Sequence, residues 1–249
     1  MQLHELKKMM ADPTKHGDNL LRAIANYADW FLCTDEKDCA FIWEFDGKRT
    51  IGVMSERKSP TDQKCEFLEM RGRHLMKNLP DETQRIAFDL GKEHCVFLSE
   101  DGVARLKNIA LALNCEEAIA APPVLSSPKD ITESVERILN HEWIVLWNDK
   151  LPVVMSYKGL EGIMLFTATD NLDAFLAKQP DPDNFCFANL EGPKLFQLLD
   201  SLSNYDGVYI NARSDLELFP FSPGQIHELA NERQPRLERN ADETFQPFD

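Results

Sequence analysis

Positive charge is scarce in this sequence. It has 27 lysines and arginines against 42 aspartates and glutamates, which gives a formal net charge of −15 over 249 residues. This balance excludes a generally basic, phosphate-binding surface, so we expect no broad nucleic-acid binding. Charged residues occupy the N-terminal stretch where a secretory signal would need its apolar core, and no apolar run reaches the roughly 20 residues of a membrane helix. The sequence therefore predicts a cytoplasmic protein that does not bind membranes.

Motifs for common chemistries are also missing. The sequence has no glycine-rich phosphate loop, no Gly-x-Ser-x-Gly and no His-Glu-x-x-His. Its six cysteines form no Cys-x-x-Cys pair, and several lie in apolar runs, which is typical of reduced core cysteines. We therefore predict no catalytic residue, no metal site and no cofactor.

What the sequence does have is an ordered series of apolar segments. Residues 2–11 predict a short helix, and Asp18 is a suitable N-cap for a second one. The apolar runs 41–45 and 51–54 flank the turn signal Asp46-Gly47, which predicts a β-hairpin. Strand-rich segments separated by helices indicate a sheet covered by helices.

The second half of the chain repeats the first. Residues 41–55 align without gaps on residues 153–167, at an offset of 112 positions. Residues 72–79 align on residues 192–199, at an offset of 120. Apolar positions match while polar positions differ, as a duplicated core pattern requires.

The same alignment places Phe88 on Val208 and Leu90 on Ile210. The matched order of several elements predicts an α+β protein of two similar α/β units, with mixed β-sheets covered by helices. Such an internal duplication gives each unit its own core.

Composition shifts suggest the domain boundaries. Prolines and serines without periodicity predict a linker at 121–129, between a first unit at 1–120 and a second unit at 130–230. Residues 231–249 mix charges of both signs with two prolines, which predicts a flexible polar tail.

Three stretches resemble the family named for the enhanced serine sensitivity protein SseB. They are Met10-Ala11-Asp12-Pro13 with the helix and strand after it, Leu165–Phe175, and Leu218–Ile226 with the strand before it. The resemblance implies a bacterial cytoplasmic protein of α+β fold. Some members are linked with secretion systems, and the family supplies no catalytic residues to carry over.

One local zone is basic. Between Lys48 and Lys77 there are eight lysines and arginines against four acidic residues. Arg71, Arg73 and His74 lie there beside a predicted helix start, where an anion or an acidic protein partner would fit.

A second candidate partner surface comes from Tyr209, Asn211 and Arg213. These residues alternate at a strand end and are expected to share one face. Ordinary packing and turn hydrogen bonding is the alternative role for them.

The sequence thus favours a non-enzymatic protein-binding or adaptor module with a protein partner. Two alternatives stay open. One is a secretion-associated chaperone or regulator, which an acidic and small protein would suit. The other is a hydrolase with dispersed active-site residues, using Cys95 or acidic clusters such as Asp181 and Asp183.

Overall fold

A computed structural model describes residues 1–35, 39–60, 65–76, 79, 83–120, 128–148, 150–212, 214 and 217–232. The chain divides into two compact units. Unit 1 is Met1–Leu113 and unit 2 is Asn114–Asp249. None of the helices in the described ranges is long and apolar enough to cross a membrane.

Unit 1 begins with two helices and then forms a sheet. The elements up to and including the helix in which the units divide are, in chain order, α1 (Leu3–Ala11), α2 (Pro13–Asn26), β1 (Trp30–Thr34), β2 (Ile42–Phe45), β3 (Lys48–Met54), β4 (Glu66–Met70), α3 (Gly72–Leu75), β5 (Arg85–Phe88), β6 (Val96–Leu98) and α4 (Glu100–Ala120).

Unit 2 repeats this order from α2 onward and adds a short strand, β8, and a helix, α6, which lies between its hairpin and its edge strand. The remaining elements are α5 (Pro128–Leu139), β7 (Glu142–Asn148), β8 (Leu151–Pro152), β9 (Val154–Tyr157), β10 (Leu160–Phe166), α6 (Thr169–Leu176), β11 (Cys186–Glu191), α7 (Gly192–Asp200), β12 (Gly207–Ile210), β13 (Leu218–Phe221) and α8 (Pro223–Asn231).

The two sheets have the same topology. Their strand orders are β4-β1-β3-β5-β6, with β2 on β3, and β11-β7-β10-β12-β13, with β9 on β10 and β8 on β7. In each sheet the two central strands are parallel, β3 with β5 and β10 with β12, while the other pairs are antiparallel. The predicted fold of two similar α/β units with mixed sheets is confirmed.

The hairpins form where the sequence predicts them. Asp46 and Gly47 both have positive φ, and so do Lys158 and Gly159 in the second unit. Two successive residues of this kind give a type I′ turn, whose twist matches that of the flanking strands. The duplication therefore extends to the turn geometry.

Each core lies between its sheet and its helices, and a tryptophan occupies the same place in both. Trp30 Nε1 donates to the carbonyl of Ile24 at 2.9 Å, and Trp143 Nε1 donates to that of Ile138 at 3.2 Å. Both rings are fully buried. The acceptor residues Ile24 and Ile138 therefore correspond, which sets an offset of 114 positions between α2 and α5.

The predicted register of one strand is wrong by two residues. Val53 pairs with Phe88 and Leu165 pairs with Ile210, so Phe88 corresponds to Ile210 and not to Val208. A shift of two residues keeps every side chain on the same face, so the apolar pattern does not reveal it. The corrected register places Asp89 on Asn211.

Helix α2 starts earlier than predicted. It begins at Pro13, a favoured first helical residue, and Gly17 interrupts it with φ 46° before Asp18. The predicted second helix is therefore the part of α2 that follows this kink.

The unit boundary also differs from the sequence estimate. The units divide between Leu113 and Asn114, inside α4, so this helix closes unit 1 and opens unit 2. Of the predicted linker 121–129, residues 121–127 lie outside the described residues, and the last two belong to α5. Of the predicted tail 231–249, the first residue ends α8, while 233–249 lie outside the described residues.

Candidate functional site

Buried polar residues follow the two parallel strands of each sheet. Asp89 follows β5 and Asn211 follows β12, each with φ 53°. Their amides donate to the carbonyls of Val53 and Leu165, both at 2.8 Å. Asp and Asn tolerate this left-handed conformation better than most residues do. Because ligands of α/β sheets often bind at the carboxyl ends of parallel strands, both positions are candidate sites.

The unit 1 site is centred on the Asp89 carboxylate. Ser55 donates to it from its amide at 2.8 Å and from its hydroxyl at 2.8–2.9 Å, His94 Nε2 lies 2.8 Å away and Lys92 Nζ lies 3.3 Å away. Burial alone raises the pKa of Asp89. The bonds from Ser55 and His94 and the charge of Lys92 outweigh it, so the pKa lies below its usual value.

This arrangement does not activate a nucleophile. The Ser55 hydroxyl donates to Asp89 and not to an imidazole, and His94 binds the same carboxylate. A serine nucleophile needs a base at its own hydroxyl. Burial also raises the pKa of Cys95, which keeps that thiol protonated. The bonds from Ser55 and His94 to Asp89 hold the end of β5 in place.

The unit 2 site has the same backbone with different polar groups. The Thr167 amide donates to Asn211 Oδ1 at 3.0 Å, as the Ser55 amide does to Asp89. Glu116 Oε1 accepts from the Thr167 hydroxyl at 2.5 Å and from Asn171 at 3.1 Å.

All four side chains of the unit 2 site are buried, so its polar groups satisfy each other. Sequence reasoning singled out Asn211 but missed Thr167, Asn171 and Glu116. The available signal was an Asp or Asn directly after each of two corresponding strands.

His141 lies beside this site. It is 5% exposed, Nε2 is 2.9 Å from the Thr167 carbonyl, and Nδ1 has no hydrogen-bond partner among the described residues. Burial lowers the pKa of His141 to about 4 from 6.5, against a smaller raising effect of the bond to Thr167. The ring is therefore neutral near pH 7, with Nε2 as the donor.

We expect unit 2 to lose stability in acid because His141 must take up a proton on unfolding. The pKa is about 4 when folded and 6.5 when exposed, so the free energy of unfolding falls as the pH drops below 6.5 and levels off below 4. The full loss is about 3 kcal/mol. Urea unfolding from pH 7 to pH 4 measures it. His141→Gln should remove this loss, because glutamine takes up no proton. A loss in His141→Gln equal to that of the unaltered chain would disprove this assignment.

The predicted basic surface is present only in part. Arg71 and His74 are exposed, and Arg73 is half-buried with Nη2 donating to Asn26 at 3.0 Å. Helix α3 has four residues, Gly72–Leu75, which is too short to give a helix-end anion site. The three side chains thus remain a small basic surface.

The second predicted surface is corrected. Tyr209 is 5% exposed and Asn211 is fully buried, so neither forms part of a partner surface. The Tyr209 ring packs edge-to-face on Tyr157, with centroids 5.1 Å apart. Tyr209 lies in the central strand β12, and Asn211 directly follows that strand. Arg213 lies outside the described residues.

An apolar groove in unit 2 has a shape suited to binding. Its volume is about 360 Å³. The last turn of α4, α5 and α8 form its walls, and it is lined by Ala118, Ile119, Ile131, Thr132, Ser134, Val135, Ile138, Phe221, Gln225, Glu228, Leu229 and Glu232. The floor is apolar and the rim carries the carboxylates of Glu228 and Glu232.

Unit 1 fills the same place with its own side chains. The matched tryptophan bonds show that Leu20 of unit 1 corresponds to Ser134 of unit 2. The matched strands β6 and β13 show that Ile109 corresponds to Glu232. Leu20, Ile109 and Leu113 are buried together in the unit 1 core. Unit 2 has a serine and a glutamate instead, and α8 ends at Asn231 whereas α4 continues to Ala120, so no side chain of the described residues fills the groove.

The described parts of the chain contain no group of three or more His, Cys, Asp or Glu side chains placed to hold a metal ion. No protein-family model matches this chain. No curated protein matches it either. The resemblance to SseB-like proteins therefore rests on the residues that carry it.

Proposed function

We propose that this chain is a non-enzymatic protein-binding or adaptor module that takes up a segment of a protein partner in the apolar groove of unit 2. The observation that carries the proposal is the open groove of about 360 Å³ at a place where unit 1 has a filled core. Grooves between helices with an apolar floor are a common way to bind a partner segment.

The chemistry of the strand-end sites supports binding over reaction. In both units the polar side chains are bonded to each other, which leaves no activated nucleophile at Ser55 or Thr167. This favours an adaptor over the hydrolase alternative. We likewise propose an SseB-like bacterial protein in the cytoplasm, with no nucleic-acid partner because the net charge is −15. A secretion-associated chaperone or regulator is the case in which the bound segment belongs to an exported protein.

The test uses two surface variants of unit 2. Ile131 lines the groove and is 47% exposed, whereas Leu160 lies on β10 outside it and is 51% exposed. Both Ile131→Asn and Leu160→Asn should fold normally because neither side chain is in the core. We expect Ile131→Asn to reduce capture of at least one protein from the source cell about tenfold, since each lost apolar contact weakens binding.

Capture is quantified by mass spectrometry, with equal thermal unfolding midpoints as the check on folding. Leu160→Asn should retain the captured proteins at the wild-type level. If the two variants and the unaltered chain capture the same proteins equally, the groove is not the binding site.

A further inference from the structure

Resting on the proposed function, we propose that the segment bound in the groove is a short basic amphipathic helix with two aliphatic side chains one turn apart. Unit 1 supplies the template for it. Ile109 and Leu113 are four residues apart on α4 and both are buried in the core at the corresponding place. Residues spaced in this way lie on one helix face.

The shape of the groove favours a helix. Its walls are the helices α4, α5 and α8, and the one strand residue that lines it, Phe221, is part of the floor. The volume is at the small end of ligand pockets, which suits a few side chains and not a large organic ligand.

The charges at the rim favour a basic partner. In unit 1, Arg105 forms an ion pair with Asp18, which joins α4 to α2. The corresponding residues of unit 2 are Glu228 and Thr132, and within the described residues Glu228 has no ion pair. Lysine or arginine on the bound helix would pair with the Glu228 carboxylate.

The test separates this occupant from others. Residues 233–249 follow directly on Glu232 and contain three arginines and four acidic residues, so the chain itself carries a segment of mixed charge next in sequence to the groove. The inference commits to a helix from another protein, and occupation by the chain's own segment counts against it.

The probe is a fluorescent, terminally blocked peptide with the sequence of residues 103–114, VARLKNIALALN. It presents Arg105, Lys107, Ile109 and Leu113 on a helix. Anisotropy titration with the full chain should show saturable binding. Ile131→Asn should weaken it at least fivefold and Leu160→Asn less than twofold.

A charge exchange tests the rim. Glu228→Lys should weaken the peptide at least tenfold, whereas Glu161→Lys, on β10 outside the groove, should have only a small effect. A second peptide with glutamate in place of Arg105 and Lys107 should bind the unaltered chain at least tenfold more weakly than the first. Glu228→Lys should recover its binding.

The outcomes separate the two proposals. If Ile131→Asn lowers capture of cellular proteins but neither peptide binds, or both bind equally, the basic-helix inference is wrong and the groove function stands. If the peptide binds only after residues 233–249 are removed, the chain's own segment is the occupant and the inference is overturned. If Ile131→Asn changes neither capture nor peptide binding, the groove function itself fails.

Discussion

Gly192→Ala is expected to destabilise unit 2 by more than about 3 kcal/mol. A Cβ at Gly192 would lie 2.4 Å from the Leu139 carbonyl oxygen and 2.9 Å from the Leu139 Cα. These are backbone atoms that do not rotate away. The Gly192 amide also donates to the His141 carbonyl at 3.0 Å, which holds α7 against the end of α5. The added methyl group therefore forces two helices apart.

The same substitution at Gly72 should destabilise unit 1 by a similar amount. There the Cβ would lie 2.0 Å from the Ile24 carbonyl oxygen. Hydrogen exchange measured by mass spectrometry assigns each loss to one unit. Gly224→Ala is the control, because its nearest neighbour is the Ser222 hydroxyl at 3.9 Å. Exchange as slow in Gly192→Ala as in Gly224→Ala would show that α7 and α5 do not approach this closely.

Asp89→Ala and Asn211→Ala should each cost about 3–5 kcal/mol, in unit 1 and unit 2 respectively. Asp89→Ala leaves the buried Ser55 hydroxyl without its acceptor and removes one of the two carboxylates that pair with Lys92, the other being that of Glu56. Asn211→Ala leaves the Thr167 amide without an acceptor. Both substitutions also place alanine at a φ of 53°, which costs about 1–2 kcal/mol.

The control isolates the hydrogen bonds from the backbone conformation. Asp46 has φ 50° in an exposed hairpin turn, so Asp46→Ala should lose only the conformational part. Urea unfolding monitored by hydrogen exchange measures all three variants. Asp89→Ala and Asp46→Ala with equal losses would show that the buried carboxylate contributes nothing to stability.

The polar sites illustrate why sequence reasoning finds one residue of a cluster and misses the rest. Asn211 is visible because it alternates with Tyr209 and Arg213 at the end of an apolar strand. Thr167 follows β10, Asn171 lies in α6 and Glu116 lies in α4, and only the folded chain brings Glu116 and Asn211 within 3.4 Å of each other and of the other two. The correspondence of Asp89 with Asn211 was hidden by the two-residue register error.

The sequence alone determined the elements and their repetition. The spacing of apolar residues sets helix and strand faces, and two-residue turns such as Asp46-Gly47 set the hairpins, because these are local effects of backbone geometry. Tertiary structure decided which residues of β5 and β12 correspond, where the units divide inside α4 and where the groove lies. These depend on where side chains distant in sequence meet and on where one helix ends while its counterpart continues, and no local pattern encodes either.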